Sequence, residues 1–168
     1  MTERNYKTFF LEMNAPGELV SKQLPETLSV IECEEPQYQF NRFLYQLIGT
    51  DWEWGDLDNW TDDQWRAIVE SEDHRTWVAY YRGSVAGYFE LYRPDGSNAE
   101  IRYFGLAPNF IGKGFGGPLL SHAIETAWNW HGTKRVWVHT CTFDHPSALK
   151  NYLARGMMVY KEHMSTID

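Results

Sequence analysis

The chain has 168 residues, enough for one domain with a sizeable buried core. Its 43% hydrophobic and 23% charged residues are those of an ordinary globular protein, while 16% aromatic residues, eight tryptophans among them, is high. A formal net charge of −8 argues against binding a phosphate backbone and suits small neutral or cationic partners better.

In chain order, Tyr6 to Met13 reads as a first strand, Gly17 to Gln23 as a polar connection, and Leu28 to Glu32 as a second extended piece ending before Pro36. From Gln37 the apolar positions Phe40, Phe43, Leu44, Leu47 and Ile48 recur at spacings of three and four, which predicts an amphipathic helix ending near Gly49. A turn-rich loop follows, with Trp52, Trp54 and Trp60 interleaved with Asp51, Glu53, Asp56 and Asp58. It either plugs the base of the domain or lines a pocket for a cationic or amphipathic molecule, since indole faces and carboxylates both attract ammonium groups. Thr61 followed by Gln64 has the pattern of a capping box and predicts a second helix.

Three strands in meander come next: Thr76 to Tyr81, Val85 to Arg93 and Ala99 to Leu106, joined at Arg82-Gly83-Ser84 and Pro94-Asp95-Gly96-Ser97. After the third strand, Gly112, Gly114, Gly116 and Gly117 fall within six residues and open a helix to about His131, with Lys113 inside the turn. A strand feeding a glycine turn that begins a helix is an anion cradle, because the first turn has N–H groups without partners and glycine lets an anion approach them. The spacing is neither a P-loop nor a dinucleotide fingerprint. Arg135 to Thr142 is expected to be a buried strand, reached by the helical crossover and so parallel to the strand of Glu100. Asp144-His145-Pro146 starts a last helix, Ser147 to Arg155, and Met157 to His163 returns as a strand. No repeat or interdomain linker interrupts this order.

Cys33 and Cys141 are too far apart to form a motif, and no Cys/His spacing matches a zinc site, so no metal is expected. Without an apolar N-terminal run or a stretch of about 18 apolar residues, the chain is expected to be cytoplasmic, with free thiols and no membrane contact. His122 and His131 are expected at the surface.

This order of elements, the glycine loop, and the segment from Ala148 through Tyr152 to Gly156-Met157 together resemble the GCN5-related N-acetyltransferase (GNAT) superfamily. Ala148, Tyr152 and Gly156 fall in the register of the family's second motif, with Met157 in place of its usual phenylalanine. The resemblance implies a single α/β (α+β) domain. Its mixed sheet has about six to seven strands, an antiparallel meander followed by a parallel, splayed pair, with about four helices flanking it. Residues 1–75 would form the acceptor side and 76–163 the acetyl-CoA core. It further implies an acyltransferase that moves an acetyl group from acetyl-CoA to a primary amine in a ternary complex.

The family's loop motif falls on Ile111-Gly112-Lys113-Gly114-Phe115-Gly116, where Ile111 replaces a polar side chain; with Gly117, the amides of this loop would hold the coenzyme A diphosphate. Backbone groups of Phe104 and Leu106, with Gly105 between them suited to a bulge, would bind the pantetheine arm and the thioester carbonyl. Glu100 takes the position of the family's glutamate base, with Glu90 on the adjoining strand in reserve and His139 third. Tyr152 is the implied acid at the leaving thiolate. Asp144 or His145 falls where the family often has an asparagine near the pantetheine, and Asp144 and Ser147 would meet the coenzyme, although Asp144 also suits a helix cap. Trp52, Trp54, Trp60 and Glu90 would line the acceptor site. The same resemblance allows a protein N-terminus or lysine as acceptor, or a silent coenzyme-binding module, and a homodimer is compatible with it. Nucleic acid is not an expected partner.

Overall fold

A computed structural model of the chain describes residues 3–167. Its strands are β1 (Arg4–Met13), β2 (Leu28–Glu32), β3 (His74–Tyr81), β4 (Ser84–Tyr92), β5 (Asn98–Leu106), β6 (Arg135–Cys141) and β7 (Met158–Ile167). Its helices are α1 (Tyr38–Gly49), α2 (Asp62–Val69), α3 (Gly116–Asn129) and α4 (Ala148–Ala154). The seven strands form one mixed sheet in the order β2-β3-β4-β5-β6-β1-β7, antiparallel throughout except for the β5–β6 pair.

Strand alternation separates the two faces. Trp77, Ala79, Phe89 and Leu91 pack with Leu119 and Ile124 of α3 in the main core, whereas the alternate residues Val78 and Tyr88 pack with Leu44 and Ile48 of α1. Helices α3 and α4 therefore lie on one side, and α1 and α2 on the other. The start of α2 is fixed locally: the Thr61 side chain accepts from the Gln64 N–H and the Gln64 side chain accepts from the Thr61 N–H.

Strand β1 is placed where no neighbour in sequence predicts it. It runs between β6 and β7, with Phe9 opposite Thr140 on one side and Glu162 on the other. Leu11 and Met13 are fully buried, and Met13 Sδ accepts from the Trp128 indole at 3.4 Å, which locks the strand to α3. Strand β7 pairs only with β1 and is exposed along most of its length.

Candidate active site

Strands β5 and β6 pair only from Asn98↔Arg135 to Glu100↔Trp137 and then part. A cavity of about 1380 Å³ runs through this gap from one face of the sheet to the other. That exceeds the roughly 300–1,000 Å³ of an ordinary small-molecule pocket and gives room for two reactants meeting inside the sheet.

The gap leaves backbone groups without a strand partner. The Ala107 N–H donates to the Ala86 carbonyl at 2.8 Å and the Gly105 carbonyl lies against Gly87, so both residues turn their polar groups toward β4. By alternation the N–H groups of Phe104 and Leu106 face the opposite way, into the cavity that both residues line. This is the pair that the sequence singles out. The expected bulge at Gly105 is displaced: the register shift leaves Arg102 unpaired, between Ile101↔Leu91 and Tyr103↔Glu90. Glycine at 105 has another cause, because a Cβ there would stand 2.5 Å from Ile48 Cγ2 of α1. Gly105→Ala is accordingly expected to cost about 1–3 kcal/mol through this overpacking, lowering Tm by roughly 3–10 °C in a thermal melt.

The glycine loop delivers the chain to the start of α3. Gly112 and Gly114 adopt φ of 82° and 81°, a conformation open to glycine but strained for other residues, and Gly116 and Gly117 form the first turn. The free N–H groups of that turn and the positive end of the helix dipole border the cavity. Lys113 departs from expectation: it is exposed, its ammonium lies 5.4 Å from the Phe110 ring, and it is not part of the cavity wall.

Positive charge arrives instead from two residues the sequence reading passed over. Arg155, at the end of α4, is only 5% exposed, and its Nε has no hydrogen-bond partner. Its Nη1 lies 2.4 Å from the point where a Cβ on Gly117 would stand, and the Lys22 stem reaches the same point at 2.9 Å. Both side chains line the cavity. A glycine at the head of a helix, free amides and an orphaned buried guanidinium fit a phosphate group.

Glu100 sits at the apex of the gap with its side chain 16% exposed, Oε1 3.9 Å from His139 Nε2. Burial pushes its carboxyl above the ordinary value, against the opposing pull of His139 and Arg102. Tyr152, 6% exposed, lines the cavity from α4 with its ring 6.4 Å from that of Phe104. Burial, assisted by the Asp144 charge, drives its phenol strongly upward, so it remains protonated across the working range.

Asp144 and Ser147 also border the cavity, but the Asp144 carboxylate is already engaged. Oδ1 accepts from the Trp54 indole at 3.2 Å, and Oδ2 accepts from the Thr140 hydroxyl and from the Cys141 N–H at 3.0 Å. It closes the loop after β6 and does not cap α4, whose N-cap is Ser147.

Glu90 is placed away from the cavity. It is 4% exposed beneath α1, accepting from Asn41 Nδ2 at 2.6 Å and lying 3.0 Å from His74 Nε2. Its expected places as reserve base and in the acceptor lining are not met, because Asn41 of α1 covers it. His139 is the second titratable group that the structure brings to Glu100.

On the α1 side of the sheet Trp52 and Trp54 line the cavity, whereas Trp60 packs edge-to-face on Trp65 at 5.4 Å, outside it. Trp54 packs against Tyr103, and Trp52 against His145 at 4.8 Å. Two carboxylates of the acidic loop are engaged by protein partners. Asp56 accepts from the Tyr45 and Tyr103 hydroxyls at 2.9 and 2.7 Å, and Glu53 pairs with Arg4 at 3.0 Å. The floor of this side is built by β1, whose Tyr6, Thr8 and Phe10 face the cavity beside His139 of β6 and His163 of β7. Alternation within Tyr6-Lys7-Thr8-Phe9-Phe10 was the available signal, but it does not say which strands lie alongside.

A splayed parallel pair threaded by a cavity, with a glycine-headed helix at one end, is the architecture of an acyltransferase of the GNAT type. The family model described as "Acetyltransferase (GNAT) family" matches residues 41–157, and the chain belongs to that family. Solved structures share the fold at low sequence identity. A functionally unknown conserved protein from Staphylococcus epidermidis ATCC 12228 superposes with a TM-score of 0.69 at 16% identity, over 98% of this chain and 62% of that one. A GCN5-related N-acetyltransferase from Sphaerobacter thermophilus gives 0.69 at 15%, over 98% and 53%. A tandem GNAT protein from the clavulanic acid biosynthesis pathway gives 0.66 at 13%, over 95% and 53%. The chain thus spans between half and two thirds of the length of these structures. No curated protein matches it in sequence.

Proposed function

We propose that the chain transfers an acetyl group from acetyl-CoA to the primary amine of a small acceptor, directly and within a ternary complex. The observation that carries this reading is the continuous cavity joining the α3 N-terminus, the Phe104 and Leu106 amides, Tyr152 and Glu100. The donor supplies an activated thioester. Its diphosphate would rest on the amides of Gly112 to Gly117 and its arm would run along β5, with the thioester carbonyl polarised by a strand amide.

Aliphatic ammonium groups are mostly protonated near neutral pH, so the nitrogen needs a base before it can attack. Glu100, a buried carboxylate with raised affinity for a proton, takes that role. The nitrogen then bonds to the acetyl carbon, the carbon–sulfur bond breaks, and the Tyr152 phenol gives its proton to the departing sulfur. The nitrogen's second proton is lost as the amide forms and passes to the tyrosinate, restoring the phenol, while the proton held by Glu100 leaves through the half-exposed His139 to solvent. Cys141 lines the cavity, but burial raises its thiol and disfavours the thiolate that a covalent route would require.

With Asp56 and Glu53 engaged, Glu100 is the carboxylate that an acceptor ammonium meets inside the cavity, and the Trp52, Trp54, Tyr6 and Phe143 walls suit an apolar body. A screen of acetyl-CoA against small monoamines, polyamines, amino acids, aminoglycosides and lysine peptides, read by release of free thiol, tests this. Turnover is expected with compact amines carrying an apolar or aromatic group. Turnover confined to peptides would overturn the small-acceptor reading, and the absence of any amine-stimulated thiol release would favour a silent coenzyme-binding module.

A further inference from the structure

Ile111 gives the glycine loop no polar side chain and Lys113 lies off the cavity wall, so the loop itself offers an anion only backbone amides. Side-chain charge comes from outside the loop. Arg155 approaches the first turn of α3 from the end of α4, buried, with its Nε unpartnered and with no carboxylate bridging its guanidinium among the described residues. A buried cation left in that state is costly unless an anion completes it. Lys22 comes from the connection between β1 and β2, its stem laid against Gly117.

Neither approach is loose. The Lys22 N–H donates to the Ser121 hydroxyl at 2.8 Å, and that hydroxyl donates in turn to the Gly117 carbonyl at 2.9 Å. The Val20 N–H donates to the Arg155 carbonyl at 2.9 Å, tying the connection to the end of α4. Asn151 Nδ2 donates to the Gly116 carbonyl at 3.1 Å and holds α4 against the same turn. Arg155 Nη1 and the Lys22 stem, from connections far apart in the chain, are thereby both held beside Gly117 in the first turn of α3.

We propose that Arg155 and Lys22 form a cationic clamp on the diphosphate of the acyl-CoA donor, supplying from α4 and the β1–β2 connection the side-chain charge that the loop itself does not bring to the cavity. The proposal rests on the donor reading above. Guanidinium and ammonium groups aimed at phosphate oxygens form charge-assisted hydrogen bonds, while the α3 amides satisfy the remaining oxygens. The glycine at 117 is then required because any side chain would push Arg155 out of the turn.

Isothermal titration of coenzyme A, dephospho-coenzyme A and pantetheine into the wild-type chain, Arg155→Gln and Lys22→Gln tests the clamp. Lys22 is exposed, so its variant is expected to fold normally even if loss of the Arg155 charge perturbs packing. Arg155→Gln is expected to weaken coenzyme A and dephospho-coenzyme A alike by about 10- to 100-fold, and Lys22→Gln by about 3- to 10-fold, with a shallower salt dependence in each. Pantetheine binding, which involves no phosphate, should be unchanged. Supplying a loop cation with Ile111→Arg in the Arg155→Gln background should recover part of the loss.

Variants that bind coenzyme A as the wild type does would overturn the clamp. So would an equal weakening of pantetheine, which would mean a structural role, or a loss seen with coenzyme A but not with dephospho-coenzyme A, which would place the cations at the 3′-phosphate. A wild-type chain that binds none of the three ligands would instead overturn the donor reading, along with the clamp that rests on it.

Discussion

Tyr152→Phe is expected to lower kcat by about 100-fold or more at neutral pH while leaving the KM for acetyl-CoA close to the wild-type value. The substitution removes one oxygen and keeps the ring, so the packing against Phe104 survives. What is lost is the hydroxyl proposed as proton donor on the α4 side of the gap. Burial and the Asp144 charge both favour the neutral phenol, so wild-type kcat should show no alkaline decline from this residue until well above the ordinary phenol value of about 10. Steady-state kinetics from about pH 6 to 9.5 provide the check, and a variant with unchanged turnover throughout would end the assignment.

Glu100→Gln should be comparably severe, with a loss in kcat/KM of about 100- to 10,000-fold at neutral pH and a different pH signature. The proposed base can work only when ionised, and burial raises the Glu100 carboxyl above its ordinary value. Activity therefore rises with pH through this shifted value, and the acid limb should vanish in the glutamine variant. The stability effect has the opposite sign. A carboxyl whose folded pKa is raised stabilises the fold at low pH and loses that contribution as pH rises through the folded value. At pH 8 the glutamine variant should therefore melt at the same temperature as the wild type or slightly above it. A crippled enzyme with an undiminished Tm separates a missing base from a damaged fold; a large drop in Tm would point to a structural role for Glu100.

Features that depend on neighbours in sequence were legible before the structure. The Thr61/Gln64 cap, the stripe of α1, the meander and the glycine-headed α3 all lie within a few residues of their causes, and the register of Ala148, Tyr152 and Gly156 places the acid candidate on α4. What was not legible depends on residues far apart in the chain. Gly105 announces a special position, but only the approach of Ile48 shows that it is a contact and not a bulge. Glu90 is on the acceptor side of its strand, yet Asn41 of α1 comes down on it and removes it from the site. Lys113 carries its charge in the expected loop and points away, while Arg155 and Lys22 lie outside any motif and converge on Gly117. A loop's backbone shape is encoded locally; the charges that serve it are placed by tertiary packing.

Strand β1 has a kinetic consequence. Its ladder partners are Val136 onward and Met158 onward, so a contact such as that of Lys7 with Thr142 closes a loop of 135 residues. The meander and α3 can assemble early from short-range pairings, whereas this half of the sheet must wait until the last third of the polypeptide is present. The wall formed by Tyr6, Thr8 and Phe10 is then among the last pieces to set, and a partly refolded molecule would hold its glycine-headed helix before this side of the cavity closes.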